Sequence, residues 1–494
     1  MKHNKLILLP ALILILLFFS FTIRAEKTDS DLQKGLDSIL PLDAYGYVKT
    51  MCLPRYAGRH TGHEGYTGAA RWAAGKFKEW GLKPISGKVG YLQAYPSPYV
   101  VVDKAEMTLH LIERQRQPEA EPSFKEVPLK PLTDFMPMLF SDSGDHTAEL
   151  VFAGWGICAP EIGYDDYARL DVRGKFILCF RGTPDRRDDR YQKHDHHRFR
   201  MKTAREKGAL GLFYIYEEPL ANPNGDWIEG FTPAIISEKT ADMILEERGI
   251  KSTDLRNDLS TYKQPISFPL QSKIKFKVES RNFPGGVGYN VVGYVEGSDP
   301  KLKKECLVIG GHFDHCGEHM ELLFSGANDN ASGSAVVMEV AQAFAVLKKK
   351  PKRSVVFVLF GGEEMGLMGS TYFADHVPGQ FEKLDAMFNF DMVGEGDGAG
   401  CSVSAEHEDL KKALEEADKH INILRRIGTI RGVGVRSSDY APFFLKGAAC
   451  VSFASNGPHL AYHLPGDSIY RINPDIMADI ARVTLLTAHH WANR

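Results

Sequence analysis

A chain of 494 residues with 43% hydrophobic and 25% charged residues is a folded globular protein too long for one ordinary core, so two domains are expected. The formal net charge of −3 is small for that length and Lys and Arg are scattered, so the chain offers no basic surface for nucleic acid. Seven cysteines make an odd count without a close-spaced framework, several of them in apolar runs where a free Cys acts as a small hydrophobe, and no disulfide is predicted.

At the start, Lys2, His3 and Lys5 precede an apolar run over 6–23, with Ala25 just beyond it. This is the pattern of a secretory signal peptide over 1–25, and it predicts a periplasmic or secreted protein with no further membrane segment. An uncleaved anchor is the alternative, because the run is close to the ~20 residues that span a bilayer. From 29 to 81 the pattern is helical, with Ala69, Ala70, Ala73, Ala74, Phe77 and Trp80 on one apolar face and Gly81 ending it. Between these helices Gly58, Arg59, His60, Thr61, Gly62 and His63 form a polar loop, expected as a surface turn, with support of an active site as the alternative.

From 107 to 273 short strand-like runs alternate with Gly, Pro and Asp clusters, which predicts an inserted β-rich domain, bounded here at 111–272, between an N-terminal catalytic portion (26–110) and the main catalytic domain (273–494). Within it His194, Asp195, His196 and His197 sit among many arginines, a setting that repels a metal cation and predicts a solvated loop. Beyond Asn290 strands alternate with helices: an apolar-periodic helix after Gly333, another over 409–420 and a last one from Pro474 to about Trp491.

Four apolar runs in this last part each deliver a ligand-type residue. The run 306–310 leads to His312 and Asp314, 354–360 to Glu363 and Glu364, 386–390 to Asp391, and 448–455 to His463; Asp329 lies in a Gly-flanked loop between the first two. Open α/β sheets bind their ligands beyond the carboxyl ends of their strands, so these side chains are expected on one rim. Mixed imidazole and carboxylate suits zinc, and a two-metal site needs a carboxylate to bridge the ions. Asp329 is the natural bridge, with His312 and Asp391 completing one ion and Glu364 and His463 the other. Neighbouring residues leaving a strand point in different directions, which leaves Glu363 as general base. Asp314 is expected to orient the His312 imidazole from behind.

The stretches Gly311-His312-Phe313-Asp314-His315, Gly326-Ala327-Asn328-Asp329-Asn330-Ala331-Ser332-Gly333, Gly362-Glu363-Glu364, Asn389-Phe390-Asp391, Ser438-Asp439-Tyr440 and Tyr462-His463-Leu464-Pro465-Gly466-Asp467 together resemble the co-catalytic di-zinc exopeptidases, typified by secreted bacterial leucyl-type aminopeptidases and, more distantly, glutamate carboxypeptidase II. The resemblance implies a mixed central sheet flanked by helices, two Zn2+ ions, the same ligand and base assignments, and a cis peptide after Asp329. Segment 148–219 is similar to a protease-associated domain, through Val151-Phe152-Ala153-Gly154-Trp155-Gly156-Ile157, Asp165-Asp166-Tyr167, Gly174-Lys175 and Gly208-Ala209; such an insert implies a lid or substrate-facing wall. Two residues depart from the family's commonest pattern. Tyr440 stands where many relatives carry His and either donates to a developing oxyanion or packs, and Cys316 stands where an apolar residue is usual.

The expected activity is release of N-terminal residues from peptides. A carboxypeptidase or dipeptidase is the alternative, for which Arg431, Arg436 and Arg471 could hold a substrate carboxylate, and single-zinc glutaminyl cyclase chemistry is disfavoured by the complete ligand set. Side-chain preference and oligomeric state are not legible in the sequence.

Overall fold

The computed structural model describes residues 30–86, 90–113, 122–432 and 438–494. The signal segment over 1–25 and Arg436 lie outside the described residues. Among those described, no helix is long and apolar enough to cross a membrane.

Four of the chain's most apolar runs pair as neighbouring parallel strands, Ser354–Phe360, Glu305–His312, Lys383–Phe390 and Ala449–Ser455, in that order. Val287–Val295, itself paired with Lys83–Pro84 and Leu92–Pro96, lies antiparallel on one flank, and Ala399–Ser404 with Leu424–Ile430 on the other, giving a mixed sheet of nine strands among the described residues. The near-continuous hydrophobicity of the central strands follows from burial on both faces. Leu307, Ile309, Phe357, Leu359, Phe388 and Val451 point to one core, while Val308, Val356, Val358, Met387 and Cys450 point to the other.

The first core is closed by helices Pro41–Met51, Glu64–Glu79, Gly333–Val346 and Pro474–Asn493, the second by the short helices Met368–Asp375 and Ala441–Leu445. Helix Glu64–Glu79 buries Ala69, Ala70, Ala73 and Phe77, the face expected from their spacing, and begins where the His63 ring accepts from the Gly65 amide at 3.1 Å. Parallel pairing in register sets His312 level with Phe360 and Phe390 level with Phe453, so all four strands finish at one edge.

A second sheet of eight strands is built from residues between Tyr99 and Phe283. Its two long strands, Tyr99–Ile112 and Ser267–Phe283, pair antiparallel along their length and extend past the 111 and 272 limits read from composition. The His194–His197 stretch corrects the expectation of a solvated loop: His194 and His197 are buried, at 2% and 4% exposure. His194 Nε2 meets Glu161 Oε1 at 3.1 Å, and the His197 ring sits edge-on to Tyr214 with centroids 5.4 Å apart. The cations in this stretch are largely paired, Arg200 with Asp195 and Arg198 with Asp226, so they do not force it into water.

Candidate metal centre

Beyond the shared strand edge, the ligand atoms of His312, Asp329 and Asp391 lie within 4.8 Å of one another, and so do those of His315, Cys316, Glu364 and His463. Asp329 stands between the groups. Its Oδ1 is 3.3 Å from His312 Nε2 and its Oδ2 is 3.3 Å from His463 Nε2. Asp391 Oδ1 adds a second oxygen 3.4 Å from His312 Nε2, and Glu364 Oε2 lies 2.9 Å from His463 Nε2.

The tautomers are set from behind. His463 Nδ1 donates to the carbonyl of Ala221, a residue of the second domain, at 2.8 Å, and His312 Nδ1 donates to the backbone carbonyl of Asp314 at 3.3 Å. A carbonyl only accepts, so in each neutral ring Nε2 turns a lone pair toward carboxylate oxygens. Asp329 Oδ2 and His463 Nε2 are buried with no hydrogen-bond partner. Burial works against a protonated His312, yet Glu363, Asp329 and Asp391 outweigh it and hold the ring well above its usual range. Burial likewise opposes ionised Glu364, but His463 and His315 hold it down to about 2. Convergent lone pairs in a field that demands positive charge are what a metal cation satisfies, so the donor set fits one.

The loop around Asp329 is held by several hydrogen bonds. Asp467 Oδ1 accepts from the Asn328 amide at 2.8 Å and Oδ2 from the Asp329 amide at 2.9 Å. Asn330 donates to the Phe390 carbonyl at 2.7 Å and accepts from Gly333 and Met392, while Ser332 donates to the Asn328 carbonyl at 2.6 Å and accepts from Val393. The Asp329–Asn330 peptide is cis. Gly326 has φ +57°, and a Cβ there would lie 2.3 Å from the Asp329 carbonyl oxygen and 2.4 Å from the His315 ring, so only glycine fits.

Arg59 corrects the surface-turn expectation for its loop. The side chain is fully buried and its guanidinium donates to the carbonyls of Phe313 (2.8 Å), Met51 (2.9 Å), Ser325 (2.7 Å) and Gly326 (2.9 Å), clamping the two ends of the 313–326 connection. Thr61 accepts from the Gly362 amide at 2.8 Å, just before the glutamate pair.

Glu363 is partly exposed. Burial of its carboxyl and the charges of Asp391, Asp439 and Glu364 push it well above the usual carboxylate range, against the pull of His312. Asp314 is fully buried, but its backbone carbonyl, rather than its carboxylate, makes the hydrogen bond to His312; Oδ1 lies 3.7 Å from that ring and accepts from the Glu363 amide at 3.3 Å. Tyr440 packs against the apolar cluster holding Phe373 and Phe443. Of the arginines considered for a substrate carboxylate, Arg471 lies 3.8 Å from Glu395 and Arg431 is exposed.

Sequence reasoning missed Asp467, Asn330, His315 and Ala221. The first three stand inside the motifs quoted above, where buried polar residues among glycines signal a held loop. Ala221 carries no signal, because it acts through its backbone from another domain. A cleft of about 570 Å³ lies between that domain and the one built on the nine-stranded sheet, lined in part by Val100, Phe140, Arg198, Trp227, Met365 and Met368, just after the glutamate pair.

The aminopeptidase of Aneurinibacillus sp. strain AM-1 superposes with a TM-score of 0.63 at 19% identity, covering 93% of this chain and 95% of that one. BSAP, a zinc aminopeptidase from Bacillus subtilis, gives 0.60 at 20% identity, covering 91% and 94%. Aminopeptidase YwaD of Bacillus subtilis is 26% identical over 339 residues, 65% of this chain, which spans 64% of that protein's length. Residues 290–488 match the model of peptidase family M28.

Proposed function

We propose that the protein is an exported aminopeptidase whose centre holds two zinc ions, His312 and Asp391 on one, Glu364 and His463 on the other, and Asp329 shared. The observation that carries this reading is Asp329, which turns one oxygen to each imidazole, 3.3 Å from both. The peptide-releasing activity is supported by the names of the similar proteins, and export by the charged start and apolar run over 2–23.

When bound, the zinc pair supplies Lewis acidity at the scissile carbonyl and an attacking water of lowered pKa. Glu363 is placed to take a proton from the attacking water and to give it to the departing amine. Its elevated affinity for a proton suits a group that must carry one between the two events. Asp314 carries the Glu363 amide and, through its carbonyl, the His312 ring, so one residue sets the placement of both base and ligand. The domain between Tyr99 and Phe283 is a protease-associated wall over the substrate cleft, a reading supported by the Ala221–His463 contacts and by Arg198, which reaches the Met365 carbonyl at 2.5 Å.

The test is an assay of the purified protein on matched peptides with free or acetylated amino ends and free or amidated carboxyl ends. Cleavage confined to free amino ends is expected. Cleavage of acetylated peptides that requires a free carboxylate would overturn the aminopeptidase reading in favour of a carboxypeptidase.

A further inference from the structure

Cys316 occupies a place that packing alone does not explain. Its Sγ lies within 4.8 Å of the ligand atoms of Glu364, His463 and His315. The residue is fully buried, and on its other side it touches the apolar cluster of Met136, Leu139, Ala221 and Phe324, contributed by both domains. The sulfur is therefore pinned from behind and faces the carboxylate and imidazole atoms.

Two further observations point to a cation at this spot. His463 is 6% exposed, its Nδ1 is engaged by Ala221, and its Nε2 is buried without a hydrogen-bond partner although Glu364 Oε2 lies 2.9 Å away. His315, 1% exposed, uses Nδ1 on Glu364 Oε1 at 2.8 Å, which leaves Oε2 of that carboxylate turned to His463. His463 Nε2, Glu364 Oε2 and Asp329 Oδ2 then make three donors, and a structural zinc takes four, with sulfur among its preferred atoms. The first group, His312, Asp329 and Asp391, has no sulfur.

We infer that Cys316 is the fourth protein ligand of the metal held by Glu364, His463 and Asp329, making the pair unequal: one ion closed by a thiolate, the other, at His312 and Asp391, left open. The inference rests on the two-metal reading above. On binding, the S–H bond is replaced by a metal–sulfur bond and the proton leaves to solvent. Sulfur raises the preference of that position for zinc and other thiophilic ions over manganese or magnesium, which the all-oxygen and nitrogen position does not share.

The test uses the whole protein stripped of metal and titrated with Co2+. Wild type is expected to develop a sulfur-to-cobalt charge-transfer absorption in the near ultraviolet with one of two bound equivalents, and C316A and C316S to bind cobalt without it. Competition with a chelator is expected to show at least a tenfold weaker affinity at one position in both variants and no change at the other. Two equivalents of cobalt bound by wild type with no thiolate absorption would overturn the ligand assignment alone. An absorption that persists in C316A and C316S would assign it to another cysteine and overturn it equally. Failure of wild type to bind cobalt would overturn this inference together with the two-metal reading.

Discussion

Replacing Asp467 with Asn tests whether the Asp329 carboxylate, proposed above as the shared ligand, is held in place by residues behind it. The Asp467 side chain is 2% exposed and gives one oxygen to the Asn328 amide at 2.8 Å and the other to the Asp329 amide at 2.9 Å. Asn keeps the shape but has one acceptor, so one amide loses its partner and faces an NH2 group. A hydrogen bond to a charged group contributes about 1.5–3 kcal/mol, and a buried donor left unpaired costs about 1–3 kcal/mol. These are two measures of one loss, so the change weakens the Asp329 position by about 1.5–3 kcal/mol. At 1.4 kcal/mol per decade that corresponds to at least tenfold in metal affinity, in line with the ~10–100-fold loss typical when partners behind metal ligands are removed. Because Asp329 faces both imidazoles, both ions are expected to weaken. The assay is zinc titration of the stripped protein against a chromophoric chelator, with circular dichroism to confirm the fold. Affinities within twofold of wild type in a folded D467N would refute the argument and transfer the burden of holding Asp329 to Asn330 and Ser332.

Glu363→Gln is expected to retain metal and lower kcat by about 10²–10⁴-fold, the range lost with a general base; a smaller loss at full metal content would remove Glu363 from that role. Arg59→Lys keeps the charge but cannot reach four carbonyls in different directions; loss of two bonds at about 1.5–3 kcal/mol each predicts about 3–6 kcal/mol of destabilisation, and an unchanged urea midpoint would contradict it. Glu339, 1% exposed on helix Gly333–Val346, is pushed up to about 8 by burial. A carboxyl raised in the folded state stabilises fully below its unfolded value near 4.5, and that contribution is lost as pH rises toward 8. Glu339→Gln should therefore melt a few degrees above wild type at pH 9, with the gap closing toward pH 5; a gap independent of pH would show that Glu339 is not the titrating group.

The parallel strands were legible because burial on both faces leaves them almost continuously apolar, so each run announced both a strand and, at its end, a residue out of place in a core. The same logic expected His312, Glu363, Glu364, Asp391 and His463 on one rim, and the structure brings His312 and Asp391 together on one side of Asp329 and Glu364 and His463 on the other. The logic did less well where polar residues act inside the protein. Arg59 looks like a surface cation because its loop is glycine-flanked; only four backbone carbonyls, drawn from a helix and two ends of a long connection, explain its burial. His194 and His197 misled for the opposite reason: the charges that argued for solvation are paired with one another and with nearby acids. Asp314 was recognised as a support for His312, but the atom that bonds the ring is its carbonyl oxygen, and no side-chain type in a sequence reports a backbone contact.

Ala221 carries that point furthest. His463 lies in the loop that follows strand Ala449–Ser455, within the matched segment 290–488, yet the group that fixes its tautomer belongs to the second domain. The contact is reciprocal, since the Ala221 amide donates to the His463 carbonyl at 3.1 Å. His463 has φ +54°, a left-handed conformation that a residue with a Cβ keeps only when its surroundings hold it there. Two backbone hydrogen bonds from the second domain thus steady a strained ligand, and Cys316 beneath them is packed by residues of both domains. A fragment cut along the matched boundaries 290–488 would keep His312, Asp329, Glu364, Asp391 and His463 but lose the group that aims His463. The division into domains describes how the sheets form; the centre itself is a product of their contact.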